Sequence, residues 1–203
     1  MSRSHRAWRR STATLKQRAA ARVVGIDNSE GVIAYARQLE AEQPLGIEYH
    51  VMDAVNARDL GAFDVVTATY LLHYAPSLAI VREMCASLHA AVSPGGRLVS
   101  ICMSPDIELA DPGYYRRYGF ELISRGREGD KVTLKAAWPG VELSIDASHW
   151  TRPSYEAALR DAGFRDIVWH APRISPEGIA SLGADHWADY LRRPHAEIVS
   201  CAR

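Results

Sequence analysis

The sequence predicts an α/β fold built on a mainly parallel sheet, and three observations predict it. Strand-like apolar runs alternate with helical ones from Arg22 onward, which is the mark of βαβ units. The first two of these runs each close on an acid, Asp27 and Asp53. The chain has 203 residues, 47% of them hydrophobic. That is enough for one sizeable core, since chains of this length bury roughly 70% of the surface they expose when unfolded.

Residues 23–26 read as a strand. A helix follows, with Val32, Ile33, Ala36 and Leu39 on one face behind a capping Asn28 or Ser29, and Pro44 and Gly46 end it. Residues 47–52 form a second strand that closes on Asp53. FDVVTATY (63–70) is apolar enough at Val65 and Val66 to be buried on both faces, which predicts a central strand. Pro76 opens a helix carrying Val81, Met84, Cys85, Leu88 and Val92 at helical spacing; SPGG (93–96) stops it, and RLVSICM (97–103) is a fourth strand. Between residues 105 and 150 the rhythm breaks. Tyr114, Tyr115 and Tyr118 precede two alternating segments, KVTLKAAW and VELSIDASHW, whose junction at Pro139 and Gly140 predicts a β-hairpin. A helix with Pro153 in its first turn and Gly163 as its stop comes next, then two strands separated by a helical segment carrying Trp187.

Composition narrows the function classes. Twenty-four basic residues balance twenty-four acidic ones, which removes the electrostatic argument for a nucleic-acid or membrane-surface partner and favours a small ligand. Cys85, Cys102 and Cys201 have no CxxC spacing, so neither a disulfide framework nor a zinc site is expected, and a cytoplasmic location fits. No apolar run is long enough to span a bilayer. The charge is uneven at the start, where Arg3, Arg6, Arg9, Arg10, Lys16, Arg18 and Arg22 precede the first acid. A transit peptide, a nucleic-acid arm and a poorly ordered terminus all fit that pattern.

Open α/β sheets bind ligands beyond the carboxyl ends of their strands, where Asp27 and Asp53 both fall. A carboxylate only accepts hydrogen bonds, so Asp27 suits a pair of ribose hydroxyls and Asp53 an exocyclic adenine amine. A strand-end Asp is also a common turn former or helix cap. With VVGIDNSEGVIAYAR, VMDA, FDVVTATYLLHYA and SPGGRLV in this order, the chain from Arg22 onward resembles the class I S-adenosylmethionine-dependent methyltransferases. The resemblance implies a Rossmann-like sheet with an antiparallel C-terminal strand, S-adenosylmethionine as cofactor, and cofactor contacts at Asp27, Asn28, Asp53, Ala54, Thr69 and Tyr70. Later segments, YRRYGFE, WTRPSYEAALRDAGF and SPEGIASLGADHWADYL, are similar to the toxoflavin-type azapteridine N-methyltransferases, which implies a small aromatic or heterocyclic acceptor. The domain is expected over residues 22–203, with residues 105–150 as an inserted lid.

The resemblance fails at the start. Members of this family begin with a strand and a glycine-rich turn, yet MSRSHRAWRR contains no glycine, no apolar run and no acid. Residues 1–21 are therefore expected to be a degenerate basic segment, with the first strand absent or degraded, as in a truncated or frame-shifted copy, and methyl transfer is expected to be impaired by loss of the glycine-rich loop. In this fold the first strand is central, so its loss exposes two sheet edges through which copies of the chain could associate.

Methyl transfer is an in-line displacement and needs mainly positioning. His73 in LLHYA is the candidate base, and Tyr70, Tyr74, Tyr115, Tyr118 and Trp150 are the candidate stacking surfaces for a flat acceptor. The competing readings are a His packed at a helix start and aromatics that belong to the core. His149, His170, His186 and His195 lack metal-ligand spacing, so no metal is expected; His186 and Asp189 read as surface partners on one helix. A rival function is a non-catalytic scaffold. A nucleic-acid methyltransferase is disfavoured by the even charge and by TATYLLHYA standing where an (N/D)PPY-like motif would be.

Overall fold

The computed structural model describes residues 13–17, 20–138 and 141–203. The segment expected to hold the degraded first strand, residues 1–10, lies outside the described residues, as do Pro139 and Gly140 at the hairpin tip. The chain forms two compact units, Met1–Gly61 and Ala62–Arg203.

In the first unit β1 (Val23–Asp27) pairs in parallel with β2 (Ile47–Val51), Asp27 standing opposite Val51, and α1 (Glu30–Glu42) connects them. Ser29 caps α1, its hydroxyl accepting from Val32 N. The helix buries Ile33 and Ala36 against Val23, Ile47 and Tyr49, and an isoleucine buried this fully stabilises by about 1.5–3 kcal/mol. The turn into β2 is organised by Glu40, whose Oε1 accepts from the amides of Leu45, Gly46 and Ile47. Arg37 donates to Tyr49 O at 2.6 Å and ties the exposed side of α1 to β2. A short 3-10 helix, Ala54–Leu60, ends the unit.

The second unit holds a four-stranded sheet ordered β3-β4-β9-β8 and a three-stranded sheet ordered β5-β6-β7. In the first, β3 (Phe63–Thr69) lies parallel to β4 (Val92–Met103), while β9 (Ala196–Ala202) runs antiparallel to both β4 and β8 (Arg165–His170). The last strand is therefore the reversed one, as expected. Helix α2 (Leu78–Ala91) buries Val81, Met84, Cys85 and Leu88. Helix α3 (Arg152–Asp161) carries Pro153 in its first turn, and the chain leaves it through Gly163 at φ 103°. Helices α4 (Pro176–Leu182) and α5 (Ala184–Arg192) precede β9.

Val65, expected to be buried on both faces, is 44% exposed, and among the described residues β3 pairs only with β4. SPGG does not end the helix before a turn; it lies inside β4 as an irregularity, with Phe63 opposite Val92 but Val65 opposite Arg97. Glycine is required there, since a Cβ on Gly96 would stand 2.7 Å from Asp64 O. The insertion is larger than a hairpin: β6 (Lys131–Trp138) and β7 (Val141–Ser148) pair as expected, and β5 (Phe120–Ile123) adds a third antiparallel strand. Among the described residues no helix is long and apolar enough to cross a membrane.

Candidate functional site

In the first unit the two acids stand at the carboxyl ends of adjacent parallel strands, and both also shape the backbone. Asp27 Oδ1 accepts from Ser29 N at 2.8 Å, which turns the chain into α1; Asp53 caps the 3-10 helix, its Oδ1 accepting from Val55 N at 3.0 Å. Each carboxylate so keeps Oδ2 without a partner among the described residues. A turn-forming role and a ligand role are compatible here, because an ionised carboxylate has about four acceptor directions and the turn takes one. Asn28 is exposed beside Asp27, and Ala54 is buried next to Asp53. This edge has the chemistry to hold a nucleoside's hydroxyls and amine.

In the second unit β3 ends at Thr69, opposite Ile101, and the chain turns abruptly at Tyr70, a non-glycine residue at φ 54°. That conformation costs about 1–2 kcal/mol and is characteristic of functional turns. It is held by Tyr70 N donating to Ile101 O at 2.7 Å. The ring is 41% exposed, and partial burial raises its hydroxyl above the usual phenol range. The 3-10 helix Leu72–Tyr74 follows, with His73 buried and packed edge-on against Tyr70 at 5.8 Å and tilted against Tyr74 at 4.8 Å. The indole of Trp150, at the end of the insertion, donates to Ala75 O at 3.3 Å. Tyr70, His73, Tyr74 and Trp150 are thus brought to one place, although Trp150 is itself buried.

Tyr115 and Tyr118 belong elsewhere. Tyr115 is fully buried; its hydroxyl donates to Arg193 O and accepts from Glu108 N, and its ring stacks on Phe120 at 5.0 Å. Tyr118 donates to His186 O, accepts from Tyr190 N and stacks on Trp187 at 5.8 Å. Both hydroxyls hold the inserted segment to α5 and the turn after it, so these rings are packing elements and not a surface for an acceptor. Nor do His186 and Asp189 pair with each other: the Asp189 carboxylate meets Arg117 and Arg192.

His73 departs from the role expected of it. Its Nδ1 accepts from Met103 N at 3.2 Å, and burial, with the nearby His195 second, lowers its pKa to about 4. The ring is neutral at pH 7 with its proton on Nε2, the tautomer the Met103 bond selects. In that state His73 is a hydrogen-bond donor. Proton acceptance would require giving up the bond to β4.

Two residues that sequence reasoning missed complete this edge. His195 immediately precedes β9, its carbonyl accepts from Ser104 N at 3.0 Å, and its Nδ1 lies 2.9 Å from the hydroxyl of Tyr190. Desolvation lowers the His195 pKa to about 4 and lifts Tyr190 to about 12. The signal for His195 was in the expected topology. A reversed strand beside β4 begins at the carboxyl edge of the sheet, as Met103 opposite Ala196 shows. Among the described residues no group of three His, Cys, Asp or Glu side chains is arranged for a metal ion.

Residues 9–96 match a methyltransferase domain family, starting upstream of Arg22 and covering both acids, β3 and α2. The ubiquinone biosynthesis O-methyltransferase of Ralstonia nicotianae is 37% identical over 83 residues, 40% of this chain and 34% of that protein. The Coxiella burnetii protein of the same name is 34% identical over 77 residues, 37% of this chain and 32% of its own length. The matched part of this chain thus spans about a third of these relatives. Among solved structures, an S-adenosylmethionine-dependent methyltransferase from Mesorhizobium loti aligns over 91% of this chain and 81% of its own, at 25% identity and TM-score 0.59. The S-adenosylmethionine-bound amino pentose methyltransferase CalS10 of Micromonospora echinaspora aligns over 97% and 80%, at 20% identity and TM-score 0.61, a likeness of fold.

Proposed function

We propose that this chain, whose residues 9–96 match a methyltransferase domain family, is an S-adenosylmethionine-dependent methyltransferase that transfers a methyl group to a small aromatic or heterocyclic acceptor. The observation that carries this reading is the pair Asp27 and Asp53, at the carboxyl ends of parallel neighbours and each with one carboxylate oxygen open. Asp27 and Asn28 would hold the ribose and Asp53 and Ala54 the adenine, and the bound sulfonium would supply an activated methyl group. Thr69 and Tyr70 line the end of β3, where the resemblance puts the methyl donor. Tyr74, about half exposed, is the flat surface offered to an acceptor, with His73 as a hydrogen-bond donor to it and the buried Trp150 holding the same loop through Ala75 O. The acceptor elements lie mostly beyond residue 96, outside the family match, so the relatives' names bear on the cofactor half more than on the acceptor. A cytoplasmic setting belongs to the same reading, supported by three free, buried cysteines.

Calorimetric titration with S-adenosylhomocysteine tests it. Micromolar binding lost in Asp27→Ala is expected; a folded protein that binds no S-adenosylhomocysteine would sink the reading. Val65, 44% exposed on a strand that pairs only with β4 among the described residues, favours a second reading, a scaffold that self-associates by strand addition. A light-scattering mass of one chain at high micromolar concentration would remove it.

A further inference from the structure

Two histidines border the carboxyl edge of β3 and β4, and their hydrogen bonds suit them to opposite tasks. The partner of His73 Nδ1 is a backbone amide, which can only donate, so this ring carries its proton on Nε2. The partner of His195 Nδ1 is a tyrosine hydroxyl, which donates or accepts, so His195 can hold its proton on Nδ1 and leave a lone pair on Nε2. Neither Nε2 has a hydrogen-bond partner among the described residues, and neither is among the fully buried polar atoms left unpaired, so both rings keep an opening.

Both histidines are tied to consecutive residues at the end of β4, His73 through its Nδ1 to Met103 N and His195 through its carbonyl to Ser104 N. The position of His195 is rigidly set. Its carbonyl is bound by Ser104 N, Met103 pairs with Ala196 beside it, and its ring packs edge-on against Phe120 at 4.9 Å.

We propose that His195, oriented by Tyr190, is the base that removes the acceptor's proton, and that His73 donates a hydrogen bond to the same acceptor from Nε2. This deepens the methyl-transfer reading and rests on it. It assigns the acceptor to the class that must lose a proton on methylation, a phenol or an N–H heterocycle, and excludes tertiary amines. As the acceptor oxygen or nitrogen bonds to the methyl carbon, the carbon–sulfur bond breaks with its electron pair left on sulfur. The acceptor's proton passes to His195 Nε2 and then to water. A desolvated imidazole is a weak base, which suits a late transfer: the attacking O–H becomes strongly acidic only once the new bond forms. At neutral pH such a ring is also not already protonated.

The first test needs neither cofactor nor acceptor. In the full chain labelled with 15N-histidine, long-range proton–nitrogen correlation at pH 7 reads the tautomer of each ring, and His73→Gln and His195→Gln assign the signals. The expected result is His73 protonated on Nε2 and His195 on Nδ1, with Tyr190→Phe moving His195 toward the Nε2–H form. A His195 that carries its proton on Nε2 in the wild type overturns the proposal, whatever the fate of the methyl-transfer reading.

The second test compares catechol with 4-nitrocatechol, which is already ionised at pH 8, using S-adenosylmethionine as donor. His195→Gln is expected to lower kcat on catechol about 100-fold and on 4-nitrocatechol by less than about 3-fold, the remainder expected once no proton need be removed. Equal losses on the two would show a structural role and overturn it. Failure of S-adenosylhomocysteine to bind the wild type would count against the methyl-transfer reading itself and leave the tautomer result intact.

Discussion

The carboxyl edge of β1 and β2 and the carboxyl edge of β3 and β4 occupy equivalent places on parallel strand pairs, yet they are built from opposite materials. The first presents two carboxylates, each using one oxygen to turn its own backbone. The second presents tyrosines and histidines, two of them desolvated enough to be neutral at pH 7. A charged, partly exposed edge recognises hydroxyls and amines by hydrogen bonding. A neutral, aromatic edge suits stacking and neutral hydrogen bonds. The difference teaches that a strand-end acid can be both a local turn former and a ligand group, because its second oxygen remains available, whereas a buried histidine is defined by what its other nitrogen touches.

The largest effect expected from this comparison is the pH response of the second edge. His73 has a folded pKa of about 4 against an ordinary 6.5, so the unfolded chain binds more protons between these values. Stability is therefore complete above pH 6.5 and falls as pH drops toward 4, by about 3 kcal/mol for this one ring. Urea unfolding at pH 7 and pH 4.5 should show that loss, and His73→Gln should reduce it while leaving the share of His195, whose pKa is likewise lowered to about 4. An unchanged slope would mean that the ring is protonated in the folded state and that the edge is not neutral.

Next is the first edge. Asp27→Ala should weaken S-adenosylhomocysteine binding by about 10- to 100-fold, the value of a charge-assisted hydrogen bond. Asp27→Asn, which keeps the turn acceptor but not the charge, should fall between. Equal loss in both variants would show that charge matters more than the number of acceptors.

Smaller again is the difference within the aromatics. Tyr115→Phe removes a buried hydroxyl that serves both Arg193 O and Glu108 N, and should cost about 1–3 kcal/mol in chemical unfolding with little change in acceptor KM. The smallest stability effect is expected for Tyr70→Gly. Relief of the φ 54° conformation, about 1–2 kcal/mol, offsets the packing lost by a half-exposed ring. Thermal unfolding should stay within about 1 kcal/mol of wild type, while acceptor KM rises if Tyr70 faces the acceptor.

The elements of the chain were legible wherever a local rule decides them. Val32, Ile33 and Ala36 at helical spacing behind Ser29, Pro153 opening a helix and Gly163 closing one, and the alternation in β6 and β7 all appear as read. Each depends on backbone sterics or on a periodicity within a few residues. The burial of β3 was not legible, since an apolar run reports a preference for burial and cannot say which neighbour supplies it. The strand β5 was also missed, because four residues carry too little alternation to stand out from a tyrosine-rich loop.

The sequence by itself determined the strand-end acids, the helix faces and the resemblance to the S-adenosylmethionine-dependent methyltransferases. These are properties of short contiguous segments. Only the tertiary structure decided that Tyr115 and Tyr118 are internal ties, that His73 has its Nδ1 bound to Met103, and that His195, bonded to Tyr190, is anchored to Ser104 at the end of the same strand. The reason is distance along the chain: Met103 N is thirty residues from His73, and the Tyr115 hydroxyl reaches Arg193 across seventy-eight. Which ring nitrogen is engaged is set for His73 by Met103, thirty residues away, and for His195 by Tyr190, five residues away across the turn between α5 and β9.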